Sequence, residues 1–272
     1  MAVTISIALQ KGGTAKTTTS LNLAECLGHR HKKVLLVDLD SQANATFTSG
    51  HDSKNLENSV YNVLTPDSRY KCTAEEAILH CKYYDLIPAD IDVKDLVVEL
   101  TDVSALKKAI HPLQSKYDYI IIDTPPAITS ITINALCSSD HIILPCEPRP
   151  YSFLGLSDLL DAINQIRGNH WNDHLNVLGI LLIKYNKRTR LAKNMKEMIK
   201  EYAARMDTTV FRTGIRECIA VPESQVARVP LLDYSPHCTA SMDYQDFTDQ
   251  VLKRLGEIKN GKKRERFTKR HE

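Results

Sequence analysis

Glycine and proline are scarce, ten and eleven among 272 residues, which excludes a collagen-like or linker-dominated chain. Aromatic residues make up only 6%. No apolar run approaches the roughly 20 residues that cross a bilayer as a helix. No Cys-x-x-Cys pair occurs: Cys26, Cys72, Cys81, Cys137, Cys146, Cys218 and Cys238 are scattered and odd in number. A zinc site needs close ligand pairs and a secreted disulfide framework favours an even count, so these read as reduced thiols. The N-terminus has neither a basic segment nor a long apolar one, so no secretory signal is visible and a cytoplasmic protein is expected.

What is present is ordinary for a globular protein: 43% hydrophobic and 25% charged residues, too apolar for a disordered chain. The net charge of +2 conceals an asymmetry. Residues Lys184 to Arg216 carry a local +7, Asn260 to Glu272 a local +4, and the remainder −9. Charge concentrated in this way points to a polyanionic partner.

Val3 to Leu9 alternates and is rich in β-branched residues, which predicts a strand. Val34–Asp38, Tyr119–Asp123, His141–Pro145 and Val177–Ile183 are continuous apolar runs, as strands buried on both faces require. Leu86–Pro88 is a shorter run of the same kind. Helical patterns cover Thr17–Gly28, Asp102–Leu113, Gly155–Arg167, Leu191–Arg205 and Asp243–Ile258. Such alternation predicts an α/β protein, a single domain with a mostly parallel twisted sheet and helices on both faces. The expected domain is 1–258, followed by a basic, disordered tail at 259–272. Residues 49–84 show no clear period.

The segment Gln10-Lys11-Gly12-Gly13-Thr14-Ala15-Lys16-Thr17-Thr18-Thr19 lies between the first strand and the first helix. Glycines there let backbone N–H groups turn inward around phosphate oxygens, and the helix N-terminus adds partial positive charge. Lys16 is expected to reach the β- and γ-phosphates and Thr17 to place its hydroxyl on Mg²⁺. The general pattern G-x-x-x-x-G-K-[ST] is altered: Gln10 takes the first glycine position, Ala15 the last, and Lys11 is an additional lysine.

The form K-G-G-x-x-K-[ST]-T resembles the deviant Walker A motif of the ParA/MinD family of ATPases. V-L-L-V-D-L-D-S-Q-A-N-A-T from Val34 to Thr46 is similar to that family's second motif. Y-D-Y-I-I-I-D-T-P-P from Tyr117 is similar to its Walker B segment, and D-L-I-P-A from Asp85 also matches. The resemblance covers roughly residues 1–255. Ser41 stands where the family usually has Pro, and Ala43 where it usually has Gly. A methyl at position 15 fits provided that residue keeps a negative φ, and the Asp40 loop is expected to be more mobile without proline.

The resemblance implies ATP and Mg²⁺ as cofactors and an ATP sandwich homodimer. Lys11 would cross to the partner's nucleotide, in the manner of an arginine finger supplied in trans. Gly12, Gly13, Thr14, Ala15, Lys16, Thr17 and Thr18 would line the phosphates. Asp123 would hold Mg²⁺ through water, Asp40 would orient the attacking water, and Asp38 would support the Mg²⁺ or the loop. Asn186 is either an adenine contact or a turn former.

The basic segment reads as a solvated face or as a surface that tracks DNA phosphates. The resemblance favours nonspecific DNA binding through Lys184, Lys187, Arg188, Arg190, Lys193 and Arg216, with Lys196 and Lys200 on the same helix face. It implies a partition ATPase associated with the nucleoid and released when a ParB-like partner stimulates slow hydrolysis. The chain opens on the first strand, so the DNA-reading domain of larger family members is not expected, nor is repression of its own operon. A MinD-like membrane ATPase is the alternative. It needs an amphipathic C-terminal helix, and the tail offers only Phe267 as a large apolar residue, so no membrane is expected. An Fe–S partner enzyme is disfavoured because Cys137 and Cys146 do not match its pattern. A non-DNA cargo stays open.

Overall fold

The five-residue apolar runs become the centre of one sheet. In the computed structural model, which describes residues 1–150 and 152–257, β1 (Val3–Ile7) leads through a loop to α1 (Lys16–Gly28), and β2 (Val34–Asp38) follows. Next come α2 (Asn44–Thr48), α3 (Val60–Leu64), β3 (Leu79–His80), β4 (Asp85–Ile87), α4 (Leu96–Glu99) and α5 (Ala105–Ile110). The second half contains β5 (Tyr119–Asp123), α6 (Ser130–Cys137), β6 (His141–Cys146), α7 (Ser152–Gly168) and β7 (Asn176–Leu182). Four helices close the described residues: α8 (Arg190–Arg205), α9 (Ala220–Ala227), α10 (Leu231–Tyr234) and α11 (Thr239–Arg254).

The seven strands lie in the order β3-β4-β2-β5-β1-β6-β7. All neighbours are parallel except β3, which runs antiparallel to β4 at one edge. Successive side chains in a strand point to opposite faces. Val34, Leu36, Tyr119 and Ile121 accordingly pack with Leu23 and Leu27 of α1 and Phe247 and Val251 of α11. Leu35, Val37, Ile120 and Ile122 pack on the other side with Val60, Leu96, Leu106 and Ile131. A third cluster joins Ile142 and Leu144 to Leu156, Leu159 and Ile163 of α7 and to Ile199 of α8. Helices therefore cover both faces, and the chain is one P-loop domain.

Two expected helices need correction. The helix expected over Asp102–Leu113 ends at Ile110 and tightens into a 3₁₀ turn over His111–Leu113, where Pro112 supplies no N–H to continue an α-helix. The last helix begins at Thr239 rather than Asp243, because the Cys238 sulfur accepts from Ser241 N and caps it. It ends at Arg254. Residues 49–84 contain α3 and β3, two elements too short to leave a period. Ile258 and the tail at 259–272 lie outside the described residues.

Candidate functional site

The strand order brings three sequence motifs together. Strands β2, β5 and β1 are neighbours, and all three run the same way. Their carboxyl ends therefore deliver Asp38, Asp123 and the loop from Ala8 to Ala15 to one edge of the sheet, where α/β proteins characteristically place ligands. Asp38 and Asp123 are direct cross-strand partners.

The loop after β1 wraps around the side chain of Lys16. Lys16 Nζ donates to the Lys11 carbonyl at 2.9 Å, and Thr14 Oγ1 donates to the same oxygen at 3.2 Å. Gly12 and Gly13 are exposed and have open space where a Cβ would stand, and Gly13 has φ +72°. Helix α7 backs the loop closely: a Cβ on Gly155 would meet the Gln10 carbonyl at 2.6 Å. Helix α1 starts at Lys16 with no side-chain cap, so its first N–H groups are available to an anion.

Ala15 overturns the expectation of a negative φ. It adopts the left-handed conformation at φ +54°, ψ +32°, and Ala43 does the same at φ +51°, ψ +35°. Position 15 is glycine in the general P-loop pattern and position 43 in the resembled family's second motif, and the backbone retains the glycine geometry under an alanine at both. An L-residue in that region costs about 1–2 kcal/mol.

Behind the loop, Lys16 and Asp123 are buried and Thr17 is partly so. Ser20 Oγ donates to Asp123 Oδ1 at 2.9 Å, and the Thr17 hydroxyl also bonds this carboxylate. Asp123 Oδ2 is buried without a hydrogen-bond partner. A buried carboxylate oxygen left unsatisfied, with two hydroxyls beside it and a lysine nearby, is the donor chemistry that suits a small divalent cation with oxygen ligands. Burial, then the Asp38 charge, raises the Asp123 pKa, while Thr17, Ser20 and Lys16 oppose that rise. Burial lowers the Lys16 pKa, and Asp123 and Asp40 pull it back up.

Asp38 organises the next loop rather than presenting free oxygens. Its Oδ1 accepts from Asp40 N at 3.1 Å, and its Oδ2 accepts from Thr46 N and Thr46 Oγ1, both at 2.9 Å. Thr46 Oγ1 also accepts from Ala89 N at 2.9 Å, tying the loop to the segment after β4. Asp40 is 9% exposed, and its Oδ1 accepts from Gln42 N at 3.0 Å. Asp40 thus sits in a hydrogen-bonded turn from which its charge acts on Lys16, and its second oxygen takes no part in that turn bond.

Lys11 is half-buried at the start of the loop. Asn186 forms a turn, its Oδ1 accepting from Arg188 N at 3.0 Å. Lys184, Lys187, Arg188, Arg190 and Lys193 are exposed together beyond the end of β7 and along the first turn of α8. Lys196 lies over the Tyr185 ring and Lys200 pairs with Glu197, so these two cations are partly engaged. Arg216 is committed further still: it forms two bonds to Asp243, at 2.7 and 2.8 Å, and a third to the Thr239 carbonyl.

Two contacts escape any local sequence signal. Gln225 Nε2 of α9 donates to Thr18 Oγ1 at 3.1 Å. Glu25 of α1 is buried and accepts from the Leu231 and Leu232 N–H groups. Each joins residues more than 200 positions apart. Thr46 was within reach of sequence reading, since it closes the motif that begins at Val34. Arg228 stacks on the Phe47 ring at 4.0 Å and so links α2 to the end of α9.

Comparison with known proteins agrees with this geometry. An AAA domain family model matches residues 2–177. The sporulation initiation inhibitor protein Soj of Bacillus subtilis is 35% identical over 255 residues, 91% of this chain and 97% of that protein. The structure of cobyrinic acid a,c-diamide synthase from Mycobacterium smegmatis with bound ADP and magnesium superposes with TM-score 0.79 at 28% identity. It covers 94% of this chain and 96% of that one. The cell division ATPase MinD of Pyrococcus furiosus gives TM-score 0.73 at 25% identity, over 93% and 99% of the two chains. The chain belongs to the P-loop AAA-domain family and, within it, to the ParA/MinD group of deviant Walker A ATPases.

Proposed function

We propose that this protein is a partition ATPase, a nucleotide-timed switch that holds DNA while ATP is bound. The observation that carries the reading is the buried, unpartnered Asp123 oxygen beside Lys16, Thr17 and Ser20, beneath a loop open at Gly12 and Gly13. The likeness to Soj supports the partition role, and the nucleotide bound by the structural neighbour supports ATP.

On this reading Gly12 through Thr18 receive the phosphates of ATP, and Lys16 exchanges the Lys11 carbonyl for phosphate oxygens. Thr17 and Asp123 would hold Mg²⁺, while Asp38 anchors the Asp40 loop beside them through Thr46. Bound Mg²⁺ neutralises phosphate charge and so favours attack at phosphorus. Asp40 orients the attacking water. Lys11 reaches the nucleotide of a second copy, so hydrolysis requires a homodimer and γ-phosphate holds it closed. Asn186 serves its turn and, in the dimer, the adenine. Domain 1–258 acts as one unit and the basic tail adds charge.

The exposed cations at Lys184, Lys187, Arg188, Arg190 and Lys193 form the DNA surface, with Arg216 at its margin. They carry no base-reading motif, so binding is nonspecific. A ParB-like protein stimulates hydrolysis and release, and the protein is cytoplasmic and nucleoid-associated. Among the described residues no helix is long and apolar enough to cross a membrane.

The test is DNA retention by purified protein with ATP, with ADP and without nucleotide, across a salt series. Retention that needs ATP, ignores sequence and falls steeply with salt supports the reading. ATP binding without DNA retention at low salt would overturn it and direct the search to anionic vesicles or a non-DNA cargo.

A further inference from the structure

Cys218 and Cys238 are 20 positions apart in sequence, yet they meet in the fold. Arg216 N, two residues before Cys218, donates to Asp243 Oδ2, and the Arg216 guanidinium reaches the carbonyl of Thr239, next to Cys238. The two thiols thus stand on segments bonded side by side, close enough to act on one another. Cys218 lies two residues before α9 and Cys238 caps α11, so the first turns of two helices converge on this pair. Ala220 N and Ala240 N, one from each helix, donate to the Cys218 sulfur, and the Thr239 hydroxyl adds a third bond. Both cysteines are partly exposed, so a small reagent has access.

Burial raises the Cys218 pKa, but the donors of Ala220, Ala240, Thr239 and Cys238 outweigh it and leave the thiol below its usual value. Helix N-termini lower thiol pKa values in this way. Elsewhere in the chain burial has the opposite result. It pushes Cys26 and Cys81 up to about 12, Cys137 up to about 11, and Cys72 upward as well.

We propose that Cys218 and Cys238 are a reversible redox pair that closes an intrachain disulfide when the surrounding small-thiol pool is oxidised. The oxidant is a low-molecular-weight disulfide. The Cys218 thiolate attacks one of its sulfurs, forming a mixed disulfide and releasing one small thiolate. Cys238 gives up its proton and attacks the Cys218 sulfur, releasing the second. Two protein thiols lose two electrons and two protons, and one small disulfide is reduced to two thiols. The new bond joins the same two segments that Arg216 and Asp243 already hold together. The segment it encloses touches α1 through Gln225 and through the Leu231 and Leu232 N–H groups. Oxidation therefore stiffens the contact with the phosphate-loop helix.

The experiment treats the full-length native protein with glutathione disulfide, blocks residual thiols with iodoacetamide and maps tryptic peptides without reduction. Trypsin cuts after Arg216 and Arg228, so the two cysteines fall in separate peptides. The expected result is one linked pair of peptides that separates on reduction. In Cys238→Ser the link is lost and Cys218 keeps a glutathione adduct. Far-UV circular dichroism checks that the variant is folded. Two free, alkylated cysteines in the oxidised native wild type would overturn the proposal. So would a link that forms only after unfolding in urea.

Discussion

Two alanines hold left-handed backbone, and their surroundings separate their fates. Ala15 is half-buried, so Ala15→Gly relieves about 1–2 kcal/mol of backbone strain and loses little packing. A net gain of roughly 0.5–1 kcal/mol remains after the added freedom of the unfolded glycine chain, a rise of about 1–4 °C in Tm. Ala43 is only 2% exposed, and deleting its methyl removes about 0.8 kcal/mol of burial, so Ala43→Gly is expected to be nearly neutral in the same melt. Glu25 carries a different signature. Burial, opposed by the Leu231 and Leu232 N–H groups, raises its pKa to about 7. An acid whose folded pKa is raised loses stability as pH climbs from its unfolded value near 4.5 through about 7. Glu25→Gln carries no such titration. Its stability relative to wild type should improve by up to roughly 3 kcal/mol between pH 4 and pH 8, measured by urea unfolding. A pH-independent difference would remove Glu25 from this role.

Helix α8 and its approach segment carry the exposed cations of the proposed DNA surface. Arg190→Ala and Lys193→Ala remove exposed cations and should each lower the slope of log affinity against log salt by about one, without moving Tm. Arg216→Ala behaves differently because it strands Asp243, which is 6% exposed. Stability should fall by about 1–3 kcal/mol, and the double variant Arg216→Ala/Asp243→Asn should recover part of that loss. DNA binding that returns with the double variant would make Arg216 a brace rather than a contact. The elements themselves were largely legible in the sequence, because continuous apolar strands and the Gly-Gly loop are local signals. The α5 turn at Pro112 was legible in principle. By contrast, β3 is two residues long, and the pairs Thr18–Gln225, Glu25–Leu231 and Arg216–Asp243 depend on which helices happen to pack together. The left-handed φ at Ala15 was hidden for a related reason: the loop sets the backbone and the side chain merely tolerates it.

For the whole molecule, nucleotide and stability are linked. ATP with Mg²⁺ at about 100 times its Kd should stabilise the fold by about 2.7 kcal/mol, seen as a rise in Tm. Lys16→Ala should show no such rise. Asp40→Ala should keep the rise and the ATP-dependent dimer, observed by light scattering, while phosphate release falls at least tenfold. Normal turnover in Asp40→Ala would remove the water-orienting role. The Thr46 hydroxyl fastens the Asp40 loop at its far end. It is bonded at once to Asp38 at the root of the Asp40 loop and to Ala89 beyond β4, so the far end of that loop is pinned to the same rigid frame as its start. Helix α2 is thereby held on one side to the sheet by Thr46 and on the other to the end of α9, where the Phe47 ring bears on Arg228. The Asp40 loop and the phosphate-loop helix thus share one neighbour, because Gln225 of the same α9 donates to Thr18.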